Sequence, residues 1–293
     1  MNKIELIISV LCLLICLSIA SIIPVNTNGI DRNILINIVG IVFIIHLILF
    51  IPSYILKTEK YFDITGTIAY LSIILFINYE FHSNNIELSF QSKLVSTIVL
   101  IWALRLGLFL YFRILKFKND VRFDEAKKSF FKYLRFWMIS SLWVFLTTLN
   151  ATTLIINNQK QINITLLTTG IILWLVGFII EFIADYQKFK FKNKESNKNK
   201  FIETGIWSYS QHPNYFGEIT MWIGISIISL GSLFKIQFFT LVSPLFVYLL
   251  LTKVSGINLL EENAKVKWGQ DKDYINYFNN TPKLIPNFFK KRA

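Results

Sequence analysis

Eight apolar segments, each about long enough to cross a bilayer, constrain this chain more than any other feature of its sequence. They fall at about residues 4–24, 34–56, 64–80, 94–114, 134–155, 163–184, 214–233 and 236–253. Eight membrane helices of about 20 residues use about 160 residues, more than half of the 293 residues in the chain. Charged residues make up only 16% of the sequence, against about 25% in soluble domains. We therefore expect an all-α, polytopic integral membrane protein with about eight spans and no large water-soluble domain.

The first segment, residues 4–24, has two interpretations. The preceding Lys3 fits a signal peptide, whose removal would leave seven spans. However, the apolar run exceeds the roughly 7–15 residues of a signal peptide core, and no clear small-residue cleavage site follows it. A retained helix is therefore favoured. Cys12 and Cys16 lie in this segment without a His or Cys partner at metal-binding spacing, so neither a metal site nor a disulfide is predicted.

Basic residues alternate along the connecting loops. The chain has 30 Lys and Arg against 18 Asp and Glu, a net charge of +12. The excess lies in four regions, which are residues 57–63, 115–132, 185–213 and the C-terminal tail. Cytoplasmic loops of membrane proteins carry such an excess, so both termini are expected in the cytoplasm, in a bacterial inner membrane or the endoplasmic reticulum. The positive charge is therefore explained by the orientation of the chain in the membrane. The expected partner is the lipid bilayer, and no nucleic acid partner is predicted.

A charged residue lies deep in the fourth segment. Arg105 is about eight residues from the cytoplasmic end, which is roughly 12 Å at 1.5 Å per residue. An arginine near a helix centre costs roughly 2.5 to 3.5 kcal/mol on insertion scales, so Arg105 requires a partner and is a candidate functional residue. Arg113 lies eight positions further on, close to the same helix face. Taken alone, it fits an interface anchor whose head group reaches the aqueous side.

Four charged residues at the end of the sixth segment share one helix face if the helix continues beyond the membrane. They are Glu181, Asp185, Lys188 and Lys192. Two interpretations remain open. The acids and lysines can bind the sugar hydroxyls and the phosphates of a polar ligand, or they can form ion pairs along an amphipathic helix end.

The sequence Ser210-Gln211-His212-Pro213-Asn214-Tyr215-Phe216-Gly217-Glu218 leads into the seventh segment. Pro213 favours the first turn of a helix, and Asn214 and Glu218 then share a face, with Glu218 entering the membrane. A buried carboxylate at that depth needs a hydrogen-bond donor. Three glycines at a seven-residue spacing predict close helix packing, and they are Gly217, Gly224 and Gly231. The sequence contains no GxGxxG, GxxxxGK[ST], HExxH or CxxC motif, so neither a Rossmann domain nor a zinc site is predicted.

The charged and polar motifs described above, in their order along the chain, resemble those of the steroid 5-alpha-reductase-like superfamily. The resemblance is closest to its uncharacterised UstE-like membrane branch. The resemblance rests on residues 105–113, 120–123, 136–137, 181–185, 210–218, 260–262, 274–277 and 284–286. It covers about residues 60–290 and implies N-terminal helices in 1–60, followed by a reductase-like membrane domain in 61–293 with a cofactor cavity facing the cytoplasm. One departure is Gln211, where the family usually has Arg, which removes one phosphate contact.

The resemblance implies an NADPH-dependent reductase that transfers a hydride to a carbon–carbon double bond of a lipid-like substrate. By the same resemblance and the residue arguments above, the expected cofactor-binding residues are Arg105, Arg113, Asp185, Lys192, His212, Asn214, Tyr215 and Glu218. The candidate catalytic residues are Asp63 and Tyr215. The Gln-Glu pair that the steroid enzymes use on an early helix is not found, so a steroid is not the expected substrate.

Two alternatives to a reductase stay open. Isoprenylcysteine carboxyl methyltransferases carry a similar His-Pro-x-Tyr-Phe-Gly helix start, and that resemblance replaces NADPH with S-adenosylmethionine. A deep arginine and a stripe of lysines fit a phosphorylated cofactor better than a sulfonium, which favours the reductase. The second alternative is a non-enzymatic membrane protein.

Overall fold

A computed structural model of the chain describes residues 2–25, 29–117, 123–254 and 256–287. Over these residues the chain is helical and forms no β-strand. The α-helices in this part of the chain are α1 (Asn2–Ile22), α2 (Ile34–Ile55), α3 (Phe62–Ser83), α4 (Phe90–Phe117), α5 (Phe130–Asn157), α6 (Ile164–Lys192), α7 (Pro213–Ser229), α8 (Val242–Leu249), α9 (Ile257–Trp268) and α10 (Lys272–Asn280). A 3₁₀ segment at Lys235–Leu241 precedes α8, and a π-helical segment at Leu250–Val254 follows it.

Seven helical segments in the described residues are long and apolar enough to cross a membrane. They are Lys3–Ile22, Ile34–Ile55, Phe62–Ser83, Phe90–Phe117, Phe130–Asn157, Ile164–Lys192 and Lys235–Trp268. The all-helical, polytopic membrane class is therefore confirmed. The expected segment 214–233 is the exception, because α7 has only 17 residues, about 26 Å at 1.5 Å per residue, which is less than a hydrocarbon core of about 30 Å. The cytoplasmic orientation of the termini and the division at residue 60 stay predictions.

The chain divides into two compact units. Unit 1 consists of Met1–Asn163 and Ser229–Ser243, and unit 2 consists of Ile164–Ile228 and Pro244–Ala293. Each unit therefore combines a long N-terminal stretch with a shorter stretch from later in the chain.

Unit 1 is organised around α5. Helices α1, α2, α3 and α4 all contact it, and every residue from 144 to 157 is buried. A helix that is buried on all sides lies at the centre of its bundle. Its hydroxyl side chains bond to the helix itself, as Thr148 Oγ1 does to the Val144 carbonyl (2.7 Å) and Thr153 Oγ1 to the Leu149 carbonyl (2.7 Å).

Polar side chains fasten the 229–243 stretch to α5 inside unit 1. Asn157 Nδ2 donates to Gln237 Oε1 (2.7 Å), and Gln237 Nε2 donates back to Asn157 Oδ1 (3.0 Å) and to the Pro24 carbonyl (2.6 Å). The Ser243 hydroxyl donates to the Leu146 carbonyl (2.7 Å) and accepts the Asn150 N–H (3.2 Å). Because buried polar groups are costly unless they are bonded, these contacts fix one position for the stretch.

Helices α6 and α7 of unit 2 meet through glycines. A Cβ built on Gly177 would lie 2.5 Å from the Gly217 carbonyl oxygen, and one built on Gly224 would lie 2.6 Å from the Gly170 carbonyl oxygen. The two backbones are thus in direct contact in an antiparallel arrangement. The packing predicted from the seven-residue spacing is confirmed for Gly217 and Gly224, whereas Gly231 lies beyond the end of α7 at Ser229.

Candidate functional site

The charged stripe predicted at the end of the sixth segment lies on one continuous helix. Helix α6 runs to Lys192, well past the expected membrane exit near residue 184, so the four side chains share a face as predicted. Glu181 and Asp185 are buried, Lys188 is half-buried and Lys192 is exposed. The stripe therefore changes from buried acids to accessible cations along the helix.

The start of α7 lies beside the acids of this stripe. A Cβ built on Gly217 would lie 2.9 Å from the Glu181 Cβ. Because α6 and α7 are antiparallel, the same register brings Glu181 level with Pro213, which is the first residue of α7 as predicted. Glu218, next to this contact, is buried. Unit 2 thus places its buried carboxylates near the beginning of α7.

The residues just before α7 are fastened to the C-terminal part of unit 2. Ser210 Oγ donates to the Leu284 carbonyl (2.8 Å). Gln211 Nε2 donates to the carbonyls of Phe278 (2.9 Å) and Thr281 (2.6 Å). Carbonyls at the end of a helix lack partners within the helix, and Gln211 supplies a donor to that of Phe278 at the end of α10. The departure from the family arginine therefore has a structural use in this chain.

His212 is buried and stacks on Tyr215, with ring centroids 5.6 Å apart and planes within 10° of parallel. Burial, together with the positive charges of Lys188 and Lys283, lowers the pKa of His212 to about 3. The imidazole is therefore neutral at physiological pH. A neutral imidazole offers a ligand one hydrogen-bond donor and one acceptor.

A cavity of about 210 Å³ opens between α6, α9, α10 and the segment before α7. Four lysines line it, namely Lys188, Lys192, Lys200 and Lys267. One carboxylate, Glu261, also lines it, and this group forms an ion pair with Lys283 (2.7 Å). The cavity therefore has an excess of positive charge and suits an anionic ligand.

Aromatic rings form a wall of the cavity. The Phe201 ring lies 5.2 Å from Tyr274, 5.6 Å from Tyr277 and 6.0 Å from Trp268, measured between centroids. The Tyr277 hydroxyl donates to the Trp207 carbonyl (2.8 Å), and burial raises the pKa of Tyr277, so the hydroxyl keeps its proton. Such a wall can stack against a planar ring of a ligand.

The cavity contains two of the predicted site residues, Lys192 and His212. Asp185, Asn214, Tyr215 and Glu218 lie on the same two helices, α6 and α7. The expected convergence of these residues with Arg105 stays a prediction, because Arg105 belongs to unit 1.

Arg113 and Asp63, also in unit 1, form an ion pair with 3.6 Å between Nη2 and Oδ2. From the sequence, Arg113 is expected as a cofactor contact and Asp63 as a candidate catalytic residue. Both roles stay predictions. Of residues 120–123 in the resemblance, Asp120, Val121 and Arg122 lie outside the described residues, whereas Phe123 is buried against Phe62 (4.8 Å).

Sequence reasoning did not predict the aromatic wall. Its rings come from the segment before α7, the end of α9 and α10, so no periodic pattern links them. One signal was available. Phe201 and Trp268 are large aromatic residues next to lysines in the sequence, and large aromatic side chains are buried to a high degree on average.

The fold and this cavity define an integral membrane protein with a basic, aromatic-walled cavity. The profile of the family described as "Protein of unknown function (DUF1295)" matches residues 49–281. Because the match covers most of the chain, the protein belongs to this family, which is steroid 5-alpha-reductase-like. The resemblance stated from the sequence is thereby confirmed.

One curated relative shares a shorter similarity. Over 61 residues, the chain is 33% identical to 3-oxo-5-alpha-steroid 4-dehydrogenase 1 of Mus musculus. The aligned part is 21% of this chain and 24% of the relative, so the chain matches about a quarter of the length of that protein. No solved structure matches the chain significantly.

Proposed function

We propose that this protein is a membrane-bound, NADPH-dependent reductase that acts on a carbon–carbon double bond of a lipid-like substrate. The observation that carries the proposal is the cavity of unit 2, which combines four lysines with a wall of aromatic rings. Phosphate groups bind cationic side chains through charge-assisted hydrogen bonds, and adenine rings stack on aromatic faces. A phosphorylated adenine nucleotide matches both features.

The size of the cavity suits one end of such a cofactor. Its volume of about 210 Å³ is below the roughly 300–1,000 Å³ of sites that enclose a whole drug-sized ligand. The phosphorylated adenosine end of NADPH matches the lysines and the aromatic wall of this cavity, and the rest of the molecule extends beyond it. When bound, NADPH supplies the hydride for the reduction.

The residues of unit 2 have distinct tasks in this proposal. Lys192 contributes to the positive charge around the phosphates. Asp185, Asn214 and Glu218 accept or donate hydrogen bonds to the sugar and amide groups of the cofactor. His212, which lines the cavity, and Tyr215, which stacks on it, orient the nucleotide. Tyr215 is also retained as the candidate catalytic residue of this unit.

The lipid-like substrate is supported by the membrane setting and by the relative. Many large apolar side chains are exposed on the spanning helices, for example Ile48 and Leu75, which is expected of surfaces that face lipid. The mouse relative is named as a dehydrogenase of an oxo-steroid, an apolar molecule. A substrate that partitions into the bilayer is therefore the class we propose.

The methyltransferase alternative is disfavoured by the charge of the cavity. S-Adenosylmethionine carries a cationic sulfonium and no phosphate, so the four lysines offer it repulsion in place of binding. A non-enzymatic protein has no reason to bind either cofactor. The three hypotheses therefore differ in which nucleotide binds.

Titration of the purified, detergent-solubilised protein with NADPH, NADH and S-adenosylmethionine tests the proposal. We expect NADPH to bind most tightly, with a difference from NADH that shrinks at high salt because charge interactions are screened. Nicotinamide fluorescence and calorimetry measure the affinities. Binding of S-adenosylmethionine without NADPH would establish the methyltransferase, and binding of none of the three would leave the non-enzymatic protein.

A further inference from the structure

The four lysines of the cavity differ in how far they are removed from water. Lys192, Lys200 and Lys267 are exposed, whereas Lys188 is half-buried. Charges that face bulk water are screened, and a charge within the protein acts more strongly on a nearby anion because the effective dielectric constant is lower. Lys188 therefore has the strongest effect of the four on a bound phosphate.

Trp207 holds the side chain of Lys188 in place. The Lys188 Nζ lies 4.4 Å from the centroid of the Trp207 ring, well within the roughly 6 Å over which an ammonium is attracted to an aromatic face. The contact between Lys267 and Trp268 is longer, at 6.0 Å. Of these two cavity lysines, Lys188 therefore has the closer contact with an aromatic ring.

The Trp207 ring is itself fixed from two sides. Its side chain is buried, and its Nε1 donates to the carbonyl of Ala184 (3.1 Å), one turn before Lys188 on α6. Its backbone carbonyl accepts the Tyr277 hydroxyl (2.8 Å). The ring is thus tied to the helix that carries Lys188 and to the aromatic wall of the cavity. A preorganised donor loses less entropy when the ligand binds.

We infer that Lys188, positioned by Trp207, is the residue that recognises a phosphate group of the ligand in this cavity, in place of Lys192, to which the family resemblance assigned that contact. This inference rests on the proposed function for the class of ligand, a phosphorylated adenine nucleotide. Trp207 acts through Lys188 and is a positioning residue.

The test uses two probes that require no hydride chemistry, adenosine 2′,5′-bisphosphate and unphosphorylated adenosine. Ligand-observed NMR titration of the solubilised full chain measures both affinities. We expect Lys188→Gln to weaken bisphosphate binding about tenfold or more, as loss of a hydrogen bond to a charged group does, and to change adenosine binding less than about twofold.

Two matched variants on the same helix serve as comparisons. Lys192→Gln and Lys190→Gln remove the same charge, and Lys190 is exposed and does not line the cavity. We expect each to weaken bisphosphate binding less than about threefold. A loss for Lys192→Gln that equals or exceeds the loss for Lys188→Gln overturns the inference. Equal binding of both probes by the unmodified protein, or binding of neither, also overturns it.

Two substitutions of Trp207 separate positioning from a merely structural role. Trp207→Phe keeps an aromatic face and is expected to retain most of the bisphosphate affinity, whereas Trp207→Leu removes the face and is expected to weaken bisphosphate binding about tenfold with adenosine binding preserved. Equal weakening of both probes by Trp207→Leu indicates a structural role only and contradicts the positioning role.

Binding and oxidation of intact NADPH test the proposed function independently of the role of Lys188. If the bisphosphate pattern holds but the protein neither binds intact NADPH nor oxidises it with any substrate, the reductase proposal fails and the role of Lys188 stands. If NADPH binds and Lys188→Gln has no effect on either nucleotide, the role of Lys188 fails and the reductase proposal stands.

Discussion

The two compact units hold their helices together by different means. In unit 1, side-chain hydrogen bonds join segments that are distant in sequence, as Asn157 and Gln237 do with their reciprocal amide pair. In unit 2, α6 and α7 meet at glycines whose backbones touch. The two units therefore use their polar residues in different places. Unit 1 uses them around its central helix α5. In unit 2, backbone contacts at the glycines join α6 to α7, and polar side chains such as Gln211 fasten the C-terminal part of the unit.

The cavities of the two units differ in the same way. A cavity in unit 1 is larger, about 520 Å³, and is lined mainly by amide side chains and backbone near Asn85 and Asn158. The Asn158 side chain accepts the Ser89 N–H (2.7 Å) and donates to the Glu87 carbonyl (3.0 Å), so it closes the loops around α5. The smaller cavity of unit 2 has cations and aromatic faces. The proposed ligand site is therefore chosen by the chemistry of its lining and not by its volume.

The largest effect is expected where backbones touch. In Gly177→Ala, the added methyl group would lie 2.5 Å from the Gly217 carbonyl oxygen and 2.7 Å from the Met221 nitrogen. Neither backbone atom can move without separating α6 from α7. We expect the free energy of unfolding to fall by about 3 kcal/mol, at the upper end of typical overpacking costs. Thermal unfolding in detergent measures the change.

A helical glycine in open surroundings is the matched control. A Cβ on Gly40 in α2 meets nothing within 4 Å, so Gly40→Ala is expected to stabilise the helix slightly, by about 0.5 kcal/mol. Equal melting temperatures for the two variants would show that α6 and α7 can separate at no cost, which contradicts the comparison between the units.

The sequence predicts features that lie on one helix better than features assembled from several segments. Patterns on one helix were predictable, such as the stripe from Glu181 to Lys192, because helical spacing alone determines which residues share a face. The cavity wall was not, because Phe201, Trp268 and Tyr277 come together only when separate segments pack. The end of α7 was missed for a related reason. The predicted segment continues to 233, but the chain turns at Ser229, whose carbonyl accepts the Ser232 N–H (2.8 Å).

An intermediate effect is expected in the interior of unit 1. Gln237→Leu removes the donor to the Pro24 carbonyl, the acceptor of the Phe234 N–H and both bonds to Asn157. Asn157 Nδ2 keeps its bond to the Ser232 carbonyl (2.8 Å). Leaving buried polar groups unsatisfied costs roughly 1 to 3 kcal/mol, so we expect a loss of about 2 kcal/mol in the free energy of unfolding. Urea or thermal unfolding in detergent measures it.

The same substitution at an exposed glutamine provides the control. Gln161 lies on the surface, and Gln161→Leu is expected to change stability by less than about 0.5 kcal/mol. Adenosine 2′,5′-bisphosphate affinity should stay within about twofold in both variants, because the polar groups of unit 1 serve the interior. A large loss of bisphosphate binding in folded Gln237→Leu protein would break the distinction between the two units.

The smallest effect concerns a group that titrates in unit 2. Burial, with Lys188 and Lys283 nearby, lowers the pKa of His212 to about 3 in the folded protein, whereas an unfolded histidine has a pKa of about 6.5. Between these values the unfolded chain binds more protons than the folded chain, so the free energy of unfolding falls as the pH is lowered. From pH 7 to pH 6 the expected loss from this residue is about 0.7 kcal/mol.

Unfolding of the unmodified protein, His212→Asn and His82→Asn at pH 7 and pH 6 isolates this contribution. His212→Asn lowers stability at both pH values but removes the titrating group, so its loss between pH 7 and pH 6 should be about 0.7 kcal/mol smaller than that of the unmodified protein. His82 is exposed, and His82→Asn controls for the replacement of a histidine outside the cavity. Parallel curves for the unmodified protein and His212→Asn would mean that His212 takes up a proton in the folded state, beside the lysines of the cavity. That result would contradict the burial of the imidazole or the positive charge around it, which together lower its pKa.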